Sequence, residues 1–398
     1  MTFSVGLMGP VPPLRGGISL FNDCLRKAFQ KKRIDVLTLN YIRQYPALFF
    51  PGSSELMPEY IINSSESQSE GSKTSGQNQK GYQNIRLLDT CNPITWKQSA
   101  QLLLQHNINT LIIAWWHPWF LPCCSYIVRA LKKRGIRVFF LCHNFLHHGK
   151  SAKLWKYPVT QLFMQGDGII FLSHHVAKQW GKPKFPSLTL FHPVANNSCN
   201  PVADDSYNPV ADDSCNQEMK THWGKKILMA GYVRQYKGIE YALGLLEMDQ
   251  SLHLTIAGEF YNNELLNHVM GKKKLFIDHR LTVIPRYISD AHLNHLIDDH
   301  DILVCPYTNA TQSGIAAFAM GKNCPVVAFP SGAFHEQITA LTGAVADHKN
   351  SMALKRAIDY IYSKSPGFWS ESIEKEKKRF SWDLFASRLI EFIEAKQA

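Results

Sequence analysis

Several things are missing from this chain of 398 residues, and each absence narrows what it can be. No stretch offers the ~18 uninterrupted apolar residues that a membrane-spanning helix needs. The opening MTFSVGLMGPVPP lacks the basic start and long apolar run of a signal peptide, so it is expected to be a first strand broken at Gly9-Pro10. The nine cysteines are odd in number, irregularly placed and without a CxxC pair, which argues against both a disulfide framework and a zinc site. The cytoplasm is the compartment this composition predicts. Acidic residues are scarce in the first half: residues 1–190 carry 22 Lys/Arg against 8 Asp/Glu, a net +14, whereas the rest of the chain is at −3. Such a basic half can face anionic lipid, a phosphorylated acceptor or nucleic acid. No nucleic-acid recognition motif accompanies it, so nucleic acid is not an expected partner.

What is present is ordinary for a folded protein, with 45% apolar and 19% charged residues. Strand-like and helix-like segments alternate throughout, the pattern of parallel sheets covered by helices. A first series of strands is expected near 3–8, 34–39, 110–115, 138–142 and 168–173, and a second near 226–231, 253–258, 281–284, 302–306 and 325–329. The fold class is therefore α/β, with two Rossmann-like doubly wound domains and a ligand cleft expected between them. The expected divisions are residues 1–192, a linker at 193–222, a second domain at 223–375 and a closing helical segment at 376–398. Residues 63–84 are Ser/Gln/Gly-rich and are expected to form a mobile loop. The tandem units PVANNSCN, PVADDSYN and PVADDSCN (193–216) have no Gly-rich turn between their Asp pairs and are read as tolerated linker rather than a calcium array.

The clearest local signal is Pro306-Tyr307-Thr308-Asn309-Ala310-Thr311-Gln312-Ser313-Gly314, where a strand gives way to a loop and then a helix. A helix start offers bare N–H groups and the positive end of a dipole, a seat for a diphosphate. Ser313 can cap that helix and Gly314 permits close approach. An ordinary capped turn would read the same way. A second element, Tyr232-Val233-Arg234-Gln235-Tyr236-Lys237-Gly238, follows the second domain's first strand at the same sheet edge. There Arg234 and Lys237 can neutralise a leaving diphosphate. His143 follows the strand VFFLC at an edge where active sites of such sheets lie, with His147 and His148 just beyond. The aromatics of WWHPWF (115–120) suit either sugar stacking or loop anchoring. Asp299-His300-Asp301 is formally a DxD metal signature, but it precedes a strand at the wrong sheet end, so it is read as a helix end and no metal site is expected. Two basic-aromatic segments, RKAFQKKR (26–33) and KSAKLWK (150–156), suggest a face for an anionic membrane; solvated helix surface is the alternative.

Taken together, GPVPPLRGG with Gly16 and Gly17, LCHNFLHH, GYVRQYKG, ATQSG…PVVA and the closing SWDLFASRLIEFI resemble the GT-B glycosyltransferases of the large retaining family 4. The resemblance spans nearly the whole chain and rests on the order of its motifs. It implies a C-terminal helix crossing back onto the first domain and a metal-independent hexosyltransferase. No cofactor is implied beyond a nucleoside diphosphate sugar as co-substrate. It assigns catalytic roles to His143, Arg234 and Lys237. Donor contacts are assigned to Gly16, Gly17, Glu259 and the amides of Gln312, Ser313 and Gly314. The family's usual pair of glutamates is replaced by Ala310 and Phe318, and Tyr232 stands at its usual arginine. The implied function is sugar transfer, with retention, to a glycan or lipid-linked acceptor in surface polysaccharide assembly, in the cytoplasm or peripherally on the inner membrane face. The alternatives are a non-catalytic sugar-nucleotide-binding protein or a sugar-nucleotide epimerase.

Overall fold

Runs such as TLIIAW (110–115), apolar at nearly every position, cannot leave either face of a sheet in water, so helices must cover both. The computed structural model describes residues 4–46, 54–57, 82–146, 152–182, 184–194, 220–274, 276 and 279–395. The chain forms two compact units, one of Met1–Phe191 with Trp382–Ala398, the other of His192–Ser381.

The first unit holds strands β1 (Ser4–Met8), β2 (Asp35–Arg43), β3 (Tyr82–Asp89), β4 (Thr110–Trp115), β5 (Arg137–Cys142), β6 (Gly168–Phe171) and β7 (Ser187–Thr189). They pair in parallel in the order β3-β2-β1-β4-β5-β6-β7. All six residues of β4 are buried. Of the segment expected as a mobile loop, residues 63–81 lie outside the described residues, but Tyr82–Asn84 belong to β3, with Val36 opposite Tyr82 in the register. The pairing is pinned by the Asn84 amide, which donates to Pro12 O at 3.0 Å. His147, His148 and most of the tandem units also lie outside the described residues.

The closing helix, Trp382–Glu394, returns to this first unit. Its buried stripe of Trp382, Phe385, Leu389 and Ile393 follows helical spacing. Phe21, from helix Gly17–Lys31, meets Trp382 at 4.8 Å and Phe385 at 5.7 Å, ring centre to ring centre. Each such side chain contributes about 1.5–3 kcal/mol when removed from water. In the RKAFQKKR stretch Lys31 and Arg33 are exposed and three other basic side chains are ion-paired. Arg26 is buried with its guanidinium 2.7 Å from Asp23, Lys27 reaches the same carboxylate at 3.0 Å, and Lys32 pairs with Asp383 at 2.7 Å.

The second unit repeats the plan with β8 (Lys226–Ala230), β9 (His253–Ala257), β10 (Leu281–Ile284), β11 (Ile302–Cys305), β12 (Val326–Ala328) and β13 (Gly343–Val345), ordered β10-β9-β8-β11-β12-β13. Two of its helices begin on asparagine caps: Asn262 accepts from Leu265 N at 2.9 Å and Asn350 from Ala353 N at 2.8 Å. Asp299-His300-Asp301 closes the helix Asp290–Asp299 and ties down the start of β8. The Asp301 carboxylate accepts from Lys226 N at 3.0 Å, and His300 Nε2 sits 2.7 Å from Thr255 Oγ1. Strand order reverses direction between β8 and β11, so the loops leaving those two strands flank the sheet's switch point, where such sheets bind ligands. Among the described residues no helix is long and apolar enough to cross a membrane.

Candidate functional site

The chain leaving β8 does not stop at the sheet. Gly231 N bonds Ala257 O, Val233 N bonds Glu259 O at 2.8 Å, and Tyr261 N bonds Val233 O at 3.0 Å, so the turns after β8 and β9 run on as a paired ribbon. Gly258 makes this possible, because a Cβ there would fall 2.1 Å from Gly231 O. The ribbon ends in the tight turn Gln235–Lys237 and Gly238, whose φ of 73° only glycine adopts readily. A Cβ at Gly238 would sit 2.0 Å from Pro306 O, so this turn lies directly on the end of β11.

That contact tucks Lys237 under the turn, where it is buried. Its Nζ donates to Ala230 O at 3.2 Å and lies 5.2 Å from the Tyr307 ring centre. No carboxylate among the described residues pairs with it. Burial lowers its pKa from 10.5 to about 8, with the Arg234 charge acting in the same direction and Cys305 opposing. A buried ammonium lacking a counter-ion is costly, and an arriving anion relieves that cost.

Arg234 is held differently. Its backbone is extended, so its side chain shares a face with Tyr232, and the guanidinium lies 5.0 Å from the Tyr232 ring and 5.2 Å from that of Tyr261. Its Nε is buried without a hydrogen-bond partner. Arg234 opens onto a cavity of about 1020 Å³ also lined by Tyr236, Glu240, Tyr241, Tyr261 and His268, which Lys237 does not line. The two basic residues thus serve different sides of one turn.

After β11 the chain passes to helix Gly314–Gly321. Ser313 caps it, its hydroxyl accepting from Ala316 N at 3.3 Å. The Ser313 amide is not available to a ligand, however. Gln337 clamps that residue, with Oε1 accepting from Ser313 N at 3.2 Å and Nε2 donating to Ser313 O at 2.7 Å. Ala317 N goes to Ser313 O, which leaves the Gly314 and Ile315 amides as the open donors of the first turn. A Cβ on Gly314 would meet nothing within 4 Å except His192 Nε2 at 3.9 Å, so the space before the helix is clear. Burial holds His192 down to about 4, a neutral imidazole at neutral pH. A Cβ added to Gly231 would fall 3.1 Å from Lys237 Nζ and 3.4 Å from Ile315 Cδ1, so the lysine and the helix start flank the same glycine. Gln312 is adjacent, and its Nε2 is buried with no partner. Ala310 and Phe318 are both buried apolar groups, with no carboxylate to offer a ribose.

Glu259 stands at the end of β9, its main chain joined to Val233 in the ribbon. The remaining candidates belong to the first unit. His143 is buried, bonds Trp115 O through its amide at 2.8 Å, and packs edge-on against Phe21 at 4.8 Å. Phe21 belongs to the helix that Gly16 and Gly17 begin, and neither glycine would meet a neighbour through a Cβ. In WWHPWF, Trp115 and Phe120 are core. The Trp116 and Trp119 indole N–H groups go to Tyr45 Oη at 2.7 Å and Thr90 Oγ1 at 3.1 Å, so this run anchors loops. Gln337, Tyr261 and His192 were not singled out by the sequence; each enters the site through a partner distant along the chain.

The same architecture recurs in solved structures. A sucrose-phosphate synthase from Thermosynechococcus elongatus superposes with a TM-score of 0.70 at 14% identity, covering 98% of each chain. The fold is GT-B. The catalytic domain of starch synthase IV from Arabidopsis thaliana, bound to ADP and acarbose, gives 0.66 at 14% identity over 99% of each chain. Anabaena HepE in complex with UDP-glucose gives 0.68 at 10% identity, over 98% of this chain and 99% of that one. Residues 224–364, within the second GT-B unit, match the family model described as glycosyl transferases group 1. No curated protein sequence matches the chain.

Proposed function

We propose that this GT-B protein transfers a hexose from a nucleoside diphosphate sugar to a glycan or lipid-linked acceptor, with retention at the anomeric carbon, in surface polysaccharide assembly. One observation carries the reading: a buried Lys237, without a carboxylate partner among the described residues, near the open amides of Gly314 and Ile315 at the switch point of the second sheet. The group 1 match to this unit and the nucleotide-bound HepE and starch synthase neighbours support a nucleotide-sugar donor.

In this reading the diphosphate takes the clear space before helix Gly314–Gly321. Lys237 and the two amides then meet the charge that grows as the bond from the anomeric carbon to the diphosphate oxygen breaks. The bonding electrons leave with the diphosphate, whose oxygen accepts the acceptor's hydroxyl proton while the new C–O bond forms on the same face of the sugar. Lys237 carries the positive charge that a metal ion supplies in DxD enzymes, and Asp299 and Asp301 stay structural, so no metal cofactor is required. Arg234 extends the site towards the tyrosine-lined cavity and the nucleoside.

Release of nucleoside diphosphate from a panel of sugar nucleotides tests the proposal. Turnover with one donor, unchanged by chelator, is expected. Binding of donor without turnover would favour the non-catalytic alternative, and strict dependence on added manganese would remove the metal-free chemistry.

A further inference from the structure

Helix Ala152–Phe163 is fixed at one end and bare at the other. Val159, Leu162 and Phe163 are fully or nearly fully buried, and Phe163 stacks on Phe140 at 4.4 Å. The opposite face should be polar if it met only water. Instead Leu154 is 78% exposed, Tyr157 73% and Met164 50%. Leu154, Tyr157, Gln161 and Met164 follow helical spacing along one stripe. Met164, one residue past the helix end, keeps the helical bond from its amide to Thr160 O at 3.0 Å. Trp155 is 40% exposed beside them. Lys153 and Lys156 flank the stripe, exposed and unpaired with any acid among the described residues.

The surrounding charge selects the occupant. Residues 90–190 contain 12 Lys and Arg but a single acid, Asp167, and Lys132 holds that carboxylate at 2.7 Å. Two copies meeting through this face would press like charges together, whereas an anionic bilayer complements it. The amphipathic combination of Leu, Trp and Tyr with lysines suits the headgroup zone, where apolar side chains insert shallowly and ammonium groups stay with phosphate.

We propose that helix Ala152–Phe163 docks the protein on an anionic lipid surface, inserting Leu154, Trp155 and Tyr157 and laying Lys153 and Lys156 on lipid phosphates. This goes beyond the sugar-transfer reading and stands independently of it.

Vesicle flotation of the full chain tests it, comparing phosphatidylcholine alone with an equimolar mixture of phosphatidylcholine and phosphatidylglycerol. Wild type is expected to float with the anionic vesicles only. Leu154→Ser with Tyr157→Ser should weaken partitioning by about a hundredfold. Lys153→Glu with Lys156→Glu should weaken it by about tenfold or more. Unchanged thermal melting confirms that the folds are intact, and unchanged donor hydrolysis in both variants keeps this question separate from the chemistry of the second unit. Wild type remaining unbound, or either variant floating like wild type, overturns the proposal. So does self-association of wild type that Leu154→Ser abolishes while flotation persists, which would assign the stripe to a second copy.

Discussion

The two units share one topology but equip the loop after their first strand in opposite ways. After β1 the turn carries one charge, Arg15, and its backbone is sewn down by asparagines: Asn22 donates to Pro10 O at 2.9 Å, Asn40 to Val11 O at 3.0 Å and Asn84 to Pro12 O at 3.0 Å. After β8 the turn carries Arg234 and Lys237, and Lys237 is buried with a single carbonyl partner. The first loop is satisfied by its own protein. The second is left electrostatically incomplete, and that difference, rather than the shared sheet order, locates the anion site. Net charge points the other way, since the first unit is the basic one; a single desolvated cation outweighs many solvated ones in fixing where a diphosphate sits.

The contrast can be broken most severely at Lys237. Lys237→Met should lower kcat/KM for donor by about 10²–10³-fold while leaving the unit at least as stable at neutral pH, because it replaces an unpaired buried charge by an apolar chain. Steady-state rates and a melting curve check both halves. Gly238→Ala comes next. Its Cβ would fall 2.0 Å from Pro306 O at a φ of 73°, and the strain should cost about 3 kcal/mol, read in denaturant unfolding of the second unit. In the first unit, Asn40→Ala should cost about 1–3 kcal/mol by orphaning Val11 N and O, yet leave nucleoside diphosphate affinity unchanged. A loss of affinity there as large as at Lys237 would erase the distinction between the loops.

The last effect is a pH dependence. Lys237 has its pKa lowered from 10.5 to about 8, so across that window the unfolded chain binds the extra proton. Stability should therefore rise with pH between about 8 and 10.5 relative to Lys237→Met, which lacks this contribution.

Much of the frame was legible in the residues because it rests on local pattern. The continuous apolar runs at Thr110–Trp115 and Ile302–Cys305 could only be strands covered on both faces, and the Ser313-Gly314 pair marked a capped helix start. What escaped depends on distant partners. Tyr82–Asn84 read as loop because their strand character comes from pairing with β2 and the bond to Pro12. The segments Ser187–Thr189 and Gly343–Val345 are too short to show a period. That the Ser313 amide is spent on Gln337, 24 residues away, has no local signature. Nor does the sequence say which of Arg234 and Lys237 is buried: Gly238 lying on Pro306 decides it, tucking one under the turn and leaving the other between tyrosines.

Proton uptake on binding of a nucleoside diphosphate, measured by calorimetry in buffers of different ionisation enthalpy, tests the central claim most directly. A diphosphate settling beside Lys237 must raise its pKa from about 8, so wild type should take up a fraction of a proton at pH 8–9, and Lys237→Met should take up none. Binding without uptake, or equal uptake by the variant, would contradict the placement of the anion at Lys237.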